Sequence, residues 1–117
     1  MRKILFLTGI IALAVSAMSY QVILKTSLEI RILNRLGNTV PGVEVRIYNN
    51  QDDYTAGKNQ IGASQYTDEK GKVLFKDLKA IPYYVSAKKG DLSNFGDAEV
   101  TDTLTAGRRN KVTIIIN

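Results

Sequence analysis

The stretch Thr67–Leu78, TDEKGKVLFKDL, decides the fold of this chain. Residues Asp68 to Gly71 have the composition of a tight turn, in which glycine supplies the residue with positive φ. After this turn, Val73 and Phe75 alternate with their neighbours, which is the period of two expected for a strand with one buried face. A turn followed by such a strand predicts β structure here.

The same alternation recurs on both sides of this stretch, separated by turn residues at short intervals. A polar loop at residues 49–59 interrupts it, with one helical turn expected at residues 51–54. The seven predicted strands are residues 22–34, 43–48, 61–67, 72–75, 82–88, 98–104 and 111–116. We expect the first two to form a hairpin-like unit with a wide connection. This pattern predicts an all-β, two-sheet sandwich.

Three consecutive segments resemble a known family. Residues 34–48, 67–78 and 82–87 are similar, in this order, to motifs of carboxypeptidase-regulatory-like and Cna-B-type domains, and the likeness covers about residues 26–117. The resemblance implies a transthyretin-like, immunoglobulin-like sandwich. The family is named for a regulatory domain of carboxypeptidases that is not itself the peptidase, so the resemblance implies no peptidase activity.

The resemblance also carries expectations for single residues. Tyr66 should pair with Val73 across the turn, and Phe75 and Leu78 should be large core residues. Cna-B-type domains often carry an isopeptide bond between a lysine on the first strand and an asparagine near the last, promoted by a buried acid. Lys25 and Asn117 are the nominal candidates. The predicted inward positions are apolar, so we do not expect the bond.

The first 19 residues have the order of a secretory signal peptide, which is helical before cleavage. Two basic residues precede an apolar stretch of about 12 residues at 4–15, shorter than the ~20 that span a bilayer. Cleavage after Ser19, or after Ala17, would leave one domain at residues 20–117. No cysteine lies near either site. We therefore expect a secreted or periplasmic protein that is not a lipoprotein and keeps no stable membrane span, with an uncleaved membrane anchor as the alternative.

Composition narrows the classes of function. The net charge of +5 falls to +3 once Arg2 and Lys3 leave with the signal, and the basic residues are spread along the sequence among acids. We therefore expect no nucleic-acid partner. The chain has no histidine and no cysteine, which excludes Ser-His-Asp triads, Cys-His dyads and zinc sites of Cys and His. We expect no enzymatic activity and no cofactor.

Oxygen-rich loops are the remaining candidates for metal binding, because Ca²⁺ needs only oxygen ligands. Asp91, Asn94 and Asp97 share one loop at a spacing of three, and residues 49–53 form a second loop of this kind. Neither matches the 12-residue calcium loop. Ordinary turn chemistry is the favoured interpretation, with a weak cation site as the alternative.

Aromatic side chains offer a second kind of site, since an exposed ring stacks on a sugar face. Tyr84 is predicted to point outward from its strand, and Tyr54, Tyr66 and Phe95 lie in or near loops. An outward tyrosine is more often explained by cross-strand packing. The sequence thus favours a non-enzymatic, monomeric envelope module with a structural, adhesive or protein-interaction role. The alternative is a carbohydrate-binding module, and the protein or glycan partner is unknown.

Overall fold

A computed structural model describes residues 25–117 of the chain. The predicted signal peptide at residues 1–19 and its cleavage sites at Ala17 and Ser19 lie outside the described residues. The same holds for residues 22–24 of the first predicted strand.

The described part of the chain alternates short strands with turns and has one short helix. In chain order the elements are β1 (Thr26–Leu33), β2 (Glu44–Tyr48), α1 (Gln51–Ala56), β3 (Gln65–Tyr66), β4 (Lys72–Leu78), β5 (Tyr84–Lys89), β6 (Leu92–Ser93) and β7 (Arg109–Ile115). They form a three-stranded sheet in the order β4-β1-β7 and a four-stranded sheet in the order β3-β2-β5-β6. The predicted all-β, two-sheet architecture is confirmed.

The alternation of side chains buries one face of each sheet against the other. In β1, Leu28, Ile30 and Ile32 are fully buried, and the residues between them lie on the outer face. The other core residues are Val43, Val45, Ile47, Val73, Phe75, Tyr83, Val85, Ala87, Leu104, Ile114 and Ile116. Burying one such aliphatic side chain stabilises the fold by roughly 1.5–3 kcal/mol, so this core holds the domain together without disulfides.

Side-chain and main-chain bonds join the two sheets along both sides of the sandwich. On one side, the Gln65 amide donates to the Leu74 carbonyl over 2.8 Å and accepts from the Leu74 N–H over 3.3 Å. On the other side, the main chains of Ser93 and Asn117 exchange two hydrogen bonds of 3.0 and 3.2 Å. The Gln65 side chain therefore bonds the main-chain groups of Leu74 at the edge of β4, where a neighbouring strand would otherwise bond them.

The Asp68–Gly71 turn forms as predicted, but it joins strands of different sheets. Because β3 pairs with β2 and β4 pairs with β1, the predicted pairing of Tyr66 with Val73 is wrong. The Gly71 carbonyl accepts from Ile32 N–H over 2.8 Å. A Cβ on Gly71, whose φ is 73°, would lie 2.8 Å from the Ile32 carbonyl oxygen. The turn thus packs against β1 while the chain crosses between sheets.

The predicted hairpin of the first two strands is also wrong, because β1 and β2 belong to opposite sheets. At the end of β1, Leu33 forms an isolated bridge with Thr39 of the connection to β2. Thr67 redirects the chain: its hydroxyl accepts from Val43 N–H over 2.9 Å and donates to the Val40 carbonyl over 2.7 Å. These buried bonds place the start of β2 beside the end of β3.

Two further predictions need correction. The segment 98–104 is not a strand, since Ala98 has a φ of 49° and only Val100 forms a bridge, to Tyr84. The short strand β6 instead lies between the predicted strands 82–88 and 98–104, and the strand expected at 61–67 is reduced to β3. The helical turn expected at residues 51–54 is present as α1, begun by Asn50, whose side chain accepts from Asp53 N–H over 2.8 Å.

Candidate functional site

A groove runs across the outer face of the four-stranded sheet, between α1 and the loop that follows β6. It consists of two adjoining depressions of about 180 and 270 Å³, which share Tyr54, Thr55, Ser86 and Lys88 in their walls. We call it the helix groove. Phe95 and Ser93 line one depression, and the other reaches Glu44, Arg46 and Tyr48 on β2. Hydroxyl groups and charged side chains therefore converge here on exposed sheet surface.

Tyrosine packing holds α1 against the sheet. The ring of Tyr54 stands 5.8 Å from that of Tyr48, edge-on at 83°, and 5.8 Å from that of Tyr84 at 39°. Such pairs contribute roughly 0.5–1.5 kcal/mol each beyond their burial. A six-residue helix is too short to be stable alone, so this contact keeps the wall of the groove in place.

A hydrogen bond ties α1 to the opposite wall. The Tyr54 hydroxyl donates to a Glu99 carboxylate oxygen over 2.7 Å, and the same oxygen accepts from Gly96 N–H over 3.0 Å. Burial and this carboxylate raise the pKa of Tyr54, whereas the Gly96 N–H and the Tyr54 hydroxyl lower the pKa of Glu99. At neutral pH the charged carboxylate therefore links α1 to the loop that follows β6.

Asn94 shapes the loop that forms this wall. Its side chain is buried, accepts from Ala87 N–H over 3.0 Å and donates to the carbonyls of Val85 and Ala98 over 2.9 and 3.5 Å. The Asn94 amide thus satisfies main-chain groups of β5, and Asp91 and Asp97 present their side chains to solvent. Within residues 25–117, no group of three or more acids lies close enough together to hold a metal ion.

The predicted aromatic candidates have different surroundings. Tyr54 and Tyr84 are half-buried against each other, because α1 covers the outer face where Tyr84 lies. Phe95 is 83% exposed and Tyr66 is 64% exposed. Of these four aromatic candidates, Phe95 and Tyr66 are exposed, and Phe95 is the exposed one that lines the groove.

Sequence reasoning missed the other groove residues. The alternation of β5 places Ser86 and Lys88 on the same face as Tyr84, so the sequence pattern could have identified these two residues. The strand pattern could not identify Thr55 of the groove wall or Glu99, the partner of the Tyr54 hydroxyl, because their positions depend on how the loops fold over the sheet.

The nominal isopeptide candidates lie at opposite ends of the sandwich. Lys25 precedes β1 and Asn117 follows β7, and these two strands run parallel, so roughly 25 Å of strand separates the two residues. Lys25 instead pairs with Asp77 over 3.2 Å. These two residues cannot form the bond.

In the described range, no helix has the length and apolar character needed to cross a membrane. No family model matches this sequence, and no curated protein matches it either.

Solved structures do share the fold over 80% of this chain. The Bacillus anthracis TIE protein is similar at 23% identity with a TM-score of 0.58. BcpA, the major pilin subunit of Bacillus cereus, and a streptococcal ancillary pilin are each similar at 16% identity, with TM-scores of 0.55 and 0.54.

These likenesses concern single domains of larger proteins, since the chain spans 17%, 30% and 32% of the three respective lengths. At such identities they establish the fold. The two sheets, their strand order and these three structural neighbours agree that the chain folds as an immunoglobulin-like β-sandwich.

Proposed function

We propose that this chain is a non-enzymatic module of the bacterial cell envelope, with a structural or adhesive role exercised through binding to another protein. The observation that carries the proposal is the fold, because the same sandwich occurs as a domain within two pilins. The residue composition supports it, since the chain contains neither histidine nor cysteine. The helix groove is the surface on which we place the contact.

Export is part of this proposal. The basic and apolar order of residues 1–19 supports secretion or release into the periplasm, with cleavage after Ser19 or Ala17. Fractionation of bacteria expressing the full chain, followed by N-terminal sequencing of the product, tests it. The expected N-terminus is Tyr20 or Met18. An intact Met1 on protein retained in the cytoplasm would contradict export.

The protein contact is tested by site-specific crosslinking in intact cells. A photoreactive residue replaces Phe95 at the groove rim, and the matched control carries it at exposed Lys58, just after α1. We expect a discrete crosslinked protein from the first position and none of the same mass from the second. Identical products from both positions, or none from either, would contradict a specific contact at the groove.

A carbohydrate ligand is the second candidate, favoured by one observation. The open ring of Phe95 stands beside the hydroxyls of Ser86 and Ser93 in the groove wall. A glycan array probed with the wild-type protein tests this function, with Phe95→Ala and Tyr84→Ala as variants. Binding that Phe95→Ala abolishes would support it, whereas binding that both variants retain would place any sugar elsewhere.

A further inference from the structure

The outer face of the three-stranded sheet gathers basic residues that are far apart in sequence. Side chains on this face alternate with the core residues of β4, β1 and β7. Five of them are cationic, and we call this set the basic face: Arg31, Lys72, Lys76, Arg109 and Lys111. Of the acids on these strands, Glu29 lies among the cations on β1, and Asp77 follows Lys76 near the end of β4. The fold thus creates a concentrated positive surface that the sequence order conceals.

The register of the sheet sets two of these cations against each other. Arg31 of β1 lies directly opposite Lys72 of β4. Like charges at such a cross-strand position destabilise a sheet. Among the described residues, Arg109 is the member of the basic face within 4 Å of a carboxylate, at 3.6 Å from Glu29. The arrangement is unfavourable for the isolated domain, which points to a role in binding an anion.

Acids at the border of the face are already engaged. The Asp68 carboxylate accepts from the N–H groups of Lys70 and Lys72 over 2.9 and 3.0 Å, which lowers the pKa of Asp68. Asp77, the next-to-last residue of β4, pairs with Lys25 over 3.2 Å. Neither acid pairs with a cation of the basic face within 4 Å. In the described part of the chain, four of the five cations therefore have no carboxylate within 4 Å, and Arg109 has Glu29.

We propose that the basic face binds a linear anionic polysaccharide of the cell envelope, one that bears repeated carboxylate groups. The face spans about 10 Å across its three strands and about 13 Å between Lys72 and Lys76. A small anion could reach only one or two of the cations, whereas a polymer can contact all five. Arg31 and Arg109 add planar guanidinium groups, which pair with carboxylates through two parallel hydrogen bonds.

The composition of the face argues against two other polyanions. A bilayer would favour several protruding apolar side chains, but Leu74, at the centre of the face, is half-buried, and Ile115 at the end of β7 is 44% exposed. A single-stranded nucleic acid would favour aromatic platforms, and β4, β1 and β7 place no aromatic residue on this outer face. The preference over duplex nucleic acid rests on the proposed export of the chain.

Binding of the purified protein to polygalacturonate, measured by calorimetry in low-salt buffer, tests the proposal. We expect saturable binding that weakens as the salt concentration rises, because screening shortens the reach of exposed charges to about 8 Å at physiological ionic strength. Neutral dextran is the comparison polymer and should not bind. Absence of binding to polygalacturonate at low salt would overturn the proposal.

Two variants that remove equal charge distinguish binding at the basic face from attraction by the net charge of the protein. The face variant combines Arg31→Thr, Lys72→Thr and Lys111→Thr, which keep β-forming side chains on the strands. The control combines Arg35→Thr, Lys58→Thr and Lys79→Thr, which remove the same charge from exposed loop positions. We expect at least about a tenfold loss of affinity in the face variant and less than about a twofold loss in the control. Equal losses in both would overturn the proposal.

Arg31→Glu distinguishes a loss of binding caused by the changed charge from a loss caused by unfolding. It places a carboxylate opposite Lys72, so it should raise the melting temperature while lowering affinity for polygalacturonate. Loss of both stability and binding would contradict the assignment. Anionic phospholipid vesicles and duplex DNA are tested alongside, and tighter binding to either would overturn the choice of polysaccharide. These results are independent of cell fractionation, so failure of the proposed export is recognised separately.

Discussion

The two outer faces of this sandwich have the same pleated backbone but differ in how their side chains are covered and paired. On the four-stranded sheet, α1 covers the tyrosines, and the Glu44 carboxylate accepts from Arg46 over 3.3 Å and from the Tyr66 hydroxyl over 3.1 Å. On the three-stranded sheet no described segment folds over the strands in this way, and Arg31 faces Lys72. On the four-stranded sheet, contacts within the chain cover and pair the outer side chains. On the three-stranded sheet, the outer side chains face solvent and can pair with an external ligand.

The largest expected effect comes from the buried amide that shapes the covered face. Asn94→Ala removes the acceptor of Ala87 N–H and the donor to Val85 O in a buried position. We expect the free energy of unfolding to fall by about 3 kcal/mol, since buried main-chain groups lose their partners. Urea denaturation measures this change. Asp97→Ala, in the same loop but exposed, is the control and should leave the midpoint unchanged.

A smaller effect is expected from the bond that joins α1 to the loop. Tyr54→Phe keeps the ring contacts but removes the hydroxyl that donates to Glu99. We expect a loss of about 1 kcal/mol, below the usual value for a charged acceptor because the site is partly solvated. Thermal denaturation measures it, and Tyr66→Phe, which removes an exposed hydroxyl from Glu44, should change little. Equal losses in both variants would mean that the covered face is not specially stabilised.

The penalty of Tyr54→Phe should depend on pH. The pKa of Glu99 is lowered in the folded state, so its ionised form contributes stability that is present above its ordinary pKa of 4.5. This stability is lost as the pH falls through the lowered folded-state value. We expect the difference between wild type and Tyr54→Phe to be full at neutral pH and smaller at about pH 3. A difference that is constant with pH would remove Glu99 from this role.

The smallest expected effect lies on the basic face and has the opposite sign. Arg31→Glu replaces a like-charge pair with an opposite-charge pair across β1 and β4. We expect the free energy of unfolding to rise by about 0.5 kcal/mol, as measured by urea denaturation. Lys76→Glu is the control, because Lys76 falls at the register shift and lies opposite no cation of β1. A stability gain in both variants would show a general charge effect instead of a local pair.

Sequence alternation predicted the buried positions well, because each inward side chain depends on its own strand. Val45, Val73 and Val85 are buried as their patterns indicate. Sheet membership was not predictable in the same way, since Thr67 directs the chain through bonds to residues 24 and 27 positions away. A tight turn alone does not tell whether its flanking strands pair with each other.

The candidate sites show the same limit. Phe95 was identified because an aromatic residue in a loop is conspicuous, but the Tyr54–Glu99 bond joins residues 45 positions apart. The basic face depends on registers between three separate strands, including the opposition of Arg31 and Lys72. Along the sequence these cations are interleaved with acidic residues, whereas in the fold most of those acidic residues lie on other surfaces.

The parallel pairing of β1 with β7 has a mechanical consequence. Seven residue pairs join the two strands, from Ser27 with Arg109 to Leu33 with Ile115. Tension applied before β1 and after β7 pulls the two strands past each other along their length. The hydrogen bonds between the strands then bear the force together and not one after another. A module in this geometry transmits load as a shear-resistant link. Force spectroscopy should show a higher rupture force in this direction than when tension is applied across the two-residue strand β6.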